Sequence, residues 1–198
     1  MSAVDDLDRG RYTEAKDQFG NLAGGGMQND AVTGAKQILA VRATQQHRTI
    51  DYTVPATDAE VPSKLTPKDY DVLLVHDQKS APAGALATLG GAWAAALTTF
   101  TKGGGVVVVL DGDVGTAEMP AFATSGGLLQ VGSHTPLVPG SPVTVTAPSD
   151  VVGVGVLSPY GVWSHSASFT VGNTTNVTYI VRAGNGTGDP VVAHRVVP

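Results

Sequence analysis

The sequence contains no cysteine. Disulfide bonds, thiolate metal ligands and a cysteine nucleophile are therefore excluded. The absence is compatible with a reducing cytoplasm and with an exported, cysteine-free domain, so it leaves the compartment open. The start, Met-Ser-Ala-Val-Asp-Asp, has no basic segment followed by an apolar one and is not a signal peptide. If the protein is exported, its leader is absent from this chain.

Charged residues are also scarce, at 15 % of the chain, with 12 Lys and Arg against 17 Asp and Glu. The basic residues form no cluster, and binding to nucleic acid phosphates requires one, so we expect no nucleic-acid partner. Long apolar runs are missing as well. The nearest, residues 81–101, is interrupted by four Gly or Pro and four Thr, so we expect no membrane span.

Hydrophobic residues make up 42 % of the 198 residues, which is enough to bury one sizeable core. Its centre is predicted over residues 70–113. Residues 71–75 (DVLLV) and 106–110 (VVVVL) are continuous apolar runs, typical of parallel strands buried on both faces. Between them, residues 83–101 have the apolar spacing of one helix face, formed by Leu86, Leu89, Trp93, Leu97 and Phe100. Strand, helix and strand in this order predict a right-handed crossover in a parallel sheet, hence an α/β fold.

The two ends of the chain differ from this centre. Residues 2–22 have a broken apolar stripe behind a capping pattern, so residues 1–30 are predicted as an N-terminal helical segment, before one α/β domain over residues 31–198. Residues 36–42 fit a strand or a helix, and residues 48–54 a strand. Residues 126–198 are β-rich, with short Val/Thr segments predicted as strands at 128–132, 142–146, 151–156, 167–171, 177–182 and 190–197.

Three stretches resemble a known family. "DYDVLLVHDQ", "GGGVVVVLDG" and the closing "DPVVAHRVV" are similar to class I glutamine amidotransferase-like domains, in their trehalose-utilisation-like branch. The resemblance implies a flavodoxin-like parallel-sheet core that begins with a buried strand, although residues 1–30 contain no apolar run. In the family's enzymes the strand matching 106–110 leads into a turn with a cysteine nucleophile. Here that turn reads Leu110-Asp111-Gly112-Asp113, which implies a pseudoenzyme.

Polar residues follow both central strands. Ligands of parallel sheets bind beyond the carboxyl ends of the strands, so His76, Asp111 and Asp113 are candidate catalytic residues for acid–base chemistry. Asp77, Asp111 and Asp113 are candidate ligands of a hard cation. The alternative is structural, because Asp after a strand often caps a helix or closes a turn.

His165, in the segment Ser158–Ser166, is a further candidate base, or a plain strand residue. The usual serine-nucleophile motif GxSxG is absent from the sequence. The glycine strings also lack the spacing of nucleotide-binding loops, so we expect no cofactor.

The predicted helix carries no charged residue from 80 to 101. A small, uncharged helix face packs well against another protein, so Trp93, Ala94 and Thr98 are candidate interface residues of a homo-oligomer. Exposed strand edges offer a second route to self-association.

These observations support three hypotheses. The first is a non-catalytic amidotransferase-like domain, of bacterial type by composition, that serves binding or self-assembly. The second is a hydrolase or sugar-modifying enzyme that uses the Asp/His site at the strand ends. The third is a structural surface or filament subunit, because the Thr-, Val- and Gly-rich strands could pair between chains.

Overall fold

The chain combines a parallel sheet and its helices with antiparallel strands that follow them. The computed structural model describes residues 11–14, 36, 39–41, 43–45, 47, 49–55, 57–78, 81–112 and 119–198. Among these residues, no helix has the length and apolar character needed to cross a bilayer.

The parallel sheet has four strands in the order β2-β1-β3-β4. Leu73 of β3 pairs with Val107 of β4, and Val75 pairs with Val109. The valine-rich β4 is the last strand on its side of the sheet as described. The strands are β1 (Arg11–Glu14), β2 (Asp51–Thr53), β3 (Val72–Val75) and β4 (Val106–Val109).

The helices are α1 (Val61–Lys64), α2 (Ala85–Lys102) and α3 (Met119–Ser125), with a 3-10 turn at Asp58–Glu60. The long helix α2 has one apolar stripe, which is buried against the sheet and α3. Trp93 meets the ring of Phe122 edge to face at 5.7 Å, and its indole nitrogen donates to the carbonyl of Asp58 at 3.2 Å. A single aromatic side chain thus joins three elements of the main core.

The antiparallel part contains a four-stranded sheet, β10-β9-β6-β7, and the pair β5–β8. It has a smaller core of its own, which includes Val143, Val162 and Ile180. Arg195 connects the two parts, because its guanidinium donates to the carbonyls of Gly127 and Leu128 at 3.0 and 3.2 Å. The strands are β5 (Val131–Pro136), β6 (Pro142–Val145), β7 (Tyr160–Gly161), β8 (Ala167–Val171), β9 (Val177–Ala183) and β10 (Pro190–Arg195).

The structure confirms the predicted combination of helices with parallel strands and the strands near 71–75 and 106–110. The predicted helix over 2–22 is wrong at residues 11–14, which form a strand between β2 and β3. The described residues between 36 and 45 are helical, which resolves the ambiguity at 36–42. Residues 151–155 form turns instead of the predicted strand. The domain division at residue 30 stays a prediction.

Two adjacent glycines of α2 provide a stability test. A Cβ on Gly90 would clash with Ser125 Oγ and would lie 2.5 Å from the carbonyl oxygen of Phe122, whereas one on Gly91 would meet nothing within 4 Å. We expect Gly91→Ala to raise the free energy of unfolding by about 0.5–1 kcal/mol, because alanine favours helix. Gly90→Ala should lower it by about 1–3 kcal/mol through overpacking against α3. Urea denaturation of both variants checks this, and equal effects would contradict the close packing.

Candidate functional site

The carboxyl ends of β3 and β4 meet the loop that carries His165. A Cβ on Gly112 would lie 2.9 Å from Asp77 Oδ2 and 3.5 Å from the carbonyl oxygen of His165. The carboxylate of Asp77 can approach this closely because residue 112 has no side chain. The sequence-based expectation that these strand ends lie together is therefore met at Asp77 and Gly112.

The side chain of His76 is buried in this region, at 4 % exposure. Gln78 is buried beside it, and its amide nitrogen donates to the backbone carbonyl of His76 at 2.9 Å. A dissolved substrate does not reach a side chain this enclosed in the conformation described, so the structure places His76 within the protein interior.

Asp111, which follows β4, faces a histidine that the sequence analysis did not select. Its Oδ2 lies 3.6 Å from Nε2 of His134 on β5, whose side chain is only 10 % exposed. Among the described residues, that nitrogen has no hydrogen-bond partner. The pair forms because β5 crosses close to the end of β4, a tertiary relation that no local spacing around His134 signals.

Burial raises the pKa of the Asp111 carboxyl above its usual range. The charge of His134 and a hydrogen bond from the backbone of Gly112 act in the opposite direction and favour the carboxylate. Desolvation is the larger influence, since it disfavours the charged form of a partly enclosed acid.

The two remaining candidates are His165 and Asp113. His165 is exposed and has a left-handed backbone, with φ of 66°. Ser158 lies before β7, and its hydroxyl accepts the amide of Val145 on β6 at 3.0 Å. Asp113 lies outside the described residues, so the cation site it was predicted to complete stays a prediction. The described part of the chain contains no group of three or more His, Asp or Glu side chains placed to hold a metal.

The predicted interface is only partly exposed. Trp93 is 1 % exposed and belongs to the core, so it cannot be a surface contact in this conformation. Ala94 is half-buried and Thr98 is exposed on the outer face of α2. For those two residues the interface stays a prediction.

A cleft of about 760 Å³ runs along β4, between the parallel sheet and the antiparallel part. The whole of β4 lines it, together with residues of α3, β5, β8 and β10. The lining is mainly apolar, with Asp111, His194 and Arg195 among its few ionisable groups. Apolar members include Val106, Val108, Leu110, Leu129, Phe169 and Val192.

On the side of this cleft, no strand of the described residues pairs with β4. The amides of Val106 and Leu110 donate to carbonyls of Asp71 and Val75 on the β3 side, at 2.8 and 2.9 Å. Because alternate residues of a strand face opposite neighbours, the amide of Val107 points the other way, as does that of Val109. No described strand pairs with them there.

The pKa of Asp111 provides a test of the His134 contact. Carboxyl NMR should give Asp111 a titration midpoint above 3.8, and His134→Gln should move it higher, because the variant removes the charge that favours ionisation. Asp150 is the internal control. The backbone amide of Val152 and the side chain of His194 lower the pKa of its carboxyl, so its midpoint should lie below 3.8 in both proteins. A midpoint of Asp111 unmoved by His134→Gln would contradict the contact.

Comparison with known proteins gives information on the fold alone. A scan against models of protein families finds no match, and a search of curated proteins finds none either. The structure is similar to that of a ThuA-like protein from Bacteroides uniformis, with a TM-score of 0.55 and 14 % identity, over 96 % of this chain and 78 % of that one. A cytoplasmic protein from Salmonella typhimurium also matches, with a TM-score of 0.47 and 14 % identity, over 78 % of this chain and 68 % of that one. The fold of this chain is thus similar to that of a ThuA-like structure.

Proposed function

We propose that this chain is a non-catalytic domain of the amidotransferase-like group, and that it binds its partner in the cleft along β4. The observation that carries the proposal is the cleft itself, which is large, mainly apolar and bordered by an unpaired strand edge in the described structure. Binding sites for other molecules commonly enclose about 300–1,000 Å³ with mostly apolar walls, and about 760 Å³ falls within that range.

The strand order supports a flavodoxin-like core. The order β2-β1-β3-β4, with all neighbours parallel, matches the first four positions of the flavodoxin order 2-1-3-4-5. The similarity to a ThuA-like structure agrees with this assignment. In the flavodoxin order a fifth strand lies beside the fourth. In the described part of this chain the cleft takes that position, so it exposes the strand edge that a fifth strand would cover.

The sequence of the turn after β4 supports the non-catalytic part of the proposal. By the resemblance, this turn is where an amidotransferase carries its nucleophilic cysteine, and here it carries Asp111 in a chain without cysteine. A carboxylate does not replace a thiolate in attack on an amide carbonyl and subsequent acyl transfer. The same turn borders the cleft through Leu110 and Asp111, so in this proposal the region keeps a binding role.

One observation favours the enzyme alternative. A partly buried carboxyl with a raised pKa, 3.6 Å from an imidazole, resembles a general acid–base pair. A hydrolase or sugar-modifying enzyme built on it would turn over nitrophenyl esters or glycosides. Loss of that turnover in both Asp111→Asn and His134→Gln would favour this alternative over the non-catalytic proposal.

The cleft itself is tested with the uncharged apolar dye Nile red. We expect saturable binding that Val106→Lys weakens at least about tenfold, because the new charge lies in an apolar cleft. Val106 is 52 % exposed, so the variant should fold. The matched control is Val41→Lys, at a residue that is 57 % exposed and does not line the cleft. Equal dye affinity in the two variants would contradict binding in the cleft.

A further inference from the structure

A charge-free segment next to the cleft leaves its apolar side chains in solvent. Residues 151–157, of sequence VVGVGVL, are called here the apolar turn segment. Val151 is 58 % exposed, Val154 61 % and Leu157 83 %. Val152 and Val156 are exposed to 44 and 42 %. So many neighbouring apolar side chains are unusual on the free surface of a protein and are typical of a binding surface.

The segment is held in a defined conformation. Amides of Gly153 and Val154 donate to the carbonyl of Asp150 at 2.9 Å, and its Oδ1 accepts the amide of Val152 at 2.9 Å. Its other carboxylate oxygen lies 2.9 Å from Nε2 of His194 on β10. These bonds fix the backbone against the antiparallel sheet, so the apolar side chains face outward on an ordered support.

The segment and the cleft form one continuous surface, because Val151 and Val152 line the cleft. Burial of a whole Val or Leu side chain removes about 60–120 Å² of apolar surface from water. Scaled by the exposed fractions, the segment and the cleft residues Val106, Leu110 and Val196 together offer on the order of 400 Å² of apolar surface. A standard interface buries about 800 Å² on each partner. The exposed side chains therefore supply about half of the area that one partner needs, and the walls of the cleft can supply further area.

The backbone of β4 indicates what kind of partner covers this surface. The outward amides of Val107 and Val109 lie along the cleft, and a polypeptide can satisfy them with its carbonyls. The chain carries a suitable polypeptide itself, since the apolar turn segment has no charge that would be costly to bury. Within one molecule the segment runs out of the cleft after Val152, and Val154 and Leu157 stay exposed.

We propose that the apolar turn segment of one copy enters the β4 cleft of a second copy, and that the second copy reciprocates, so that the chain forms a two-fold symmetric dimer. Segment and cleft adjoin on the surface, and adjoining complementary patches suit a reciprocal contact about a two-fold axis. The inference rests on the proposed function, because it takes the cleft to be a binding site and names its occupant.

Sedimentation velocity on three variants tests the dimer. The segment variant is Val154→Lys with Leu157→Lys, the cleft variant is Val106→Lys, and the control is Val41→Lys. Wild type and control should dimerise with the same dissociation constant. The segment and cleft variants should each raise it at least tenfold, because each places charge in both copies of the contact.

Mixing the two defective variants is the decisive step. For this step the cleft variant is Val106→Glu, so a mixed dimer with the segment variant has one unaltered contact and one in which the introduced lysines face an introduced glutamate. We expect the mixture to associate at least tenfold more tightly than either variant alone. No gain on mixing would overturn the reciprocal contact, and assemblies larger than a dimer would overturn its two-fold symmetry.

The outcomes also separate this inference from the proposed function. A wild type that stays monomeric at high micromolar concentration, yet binds the dye in a way that Val106→Lys weakens, overturns the dimer and leaves the cleft as a site for another partner. A dimer that survives both the segment and the cleft variants overturns the inference as well. Dye binding that is unaffected by Val106→Lys overturns the proposed function itself.

Discussion

The burial of one face of α2 is the constraint on which the described arrangement depends. Trp93 contacts Phe122 of α3 and donates to the carbonyl of Asp58, while Leu97 and Phe100 are fully buried in the same core. This packing fixes α2 and α3 relative to β3 and β4. The positions of the strand ends and the cleft wall follow from it, because residues of β4 and α3 both line the cleft. Loss of this face would thus affect the site as well as stability.

The central strand–helix–strand unit could be predicted because its signals are local: continuous apolar runs and a regular helical stripe. Strand β1 could not be predicted, because its sequence RYTE contains no apolar run. These residues form a strand through their pairing with β2 and β3. The valine-rich segment after Asp150 has the composition of a strand but forms turns. Asp150 accepts three of its amides, and Gly155 has a left-handed φ of 77°.

The site was predictable to a smaller extent. That Asp77 and the turn at Gly112 lie together follows from the ends of adjacent parallel strands. The pairing of Asp111 with His134 depends on where β5 crosses, and the cleft depends on which strand edge the described strands leave unpaired, so neither has a local signal. The candidate site that results consists of a histidine–carboxylate pair next to an apolar cleft. In the non-catalytic proposal the cleft carries the function, and the pair is part of the wall that shapes it.

Binding at the open edge of β4 is measured most directly by amide hydrogen exchange at Val107 and Val109, at protein concentrations above and below the dimer dissociation constant. We predict that both amides exchange more slowly at the higher concentration, because a second copy then covers the cleft. Exchange at Val106 and Leu110, which donate to the β3 side, should be the same at both concentrations. Equal exchange of Val107 and Val109 at the two concentrations would contradict a partner bound along this edge.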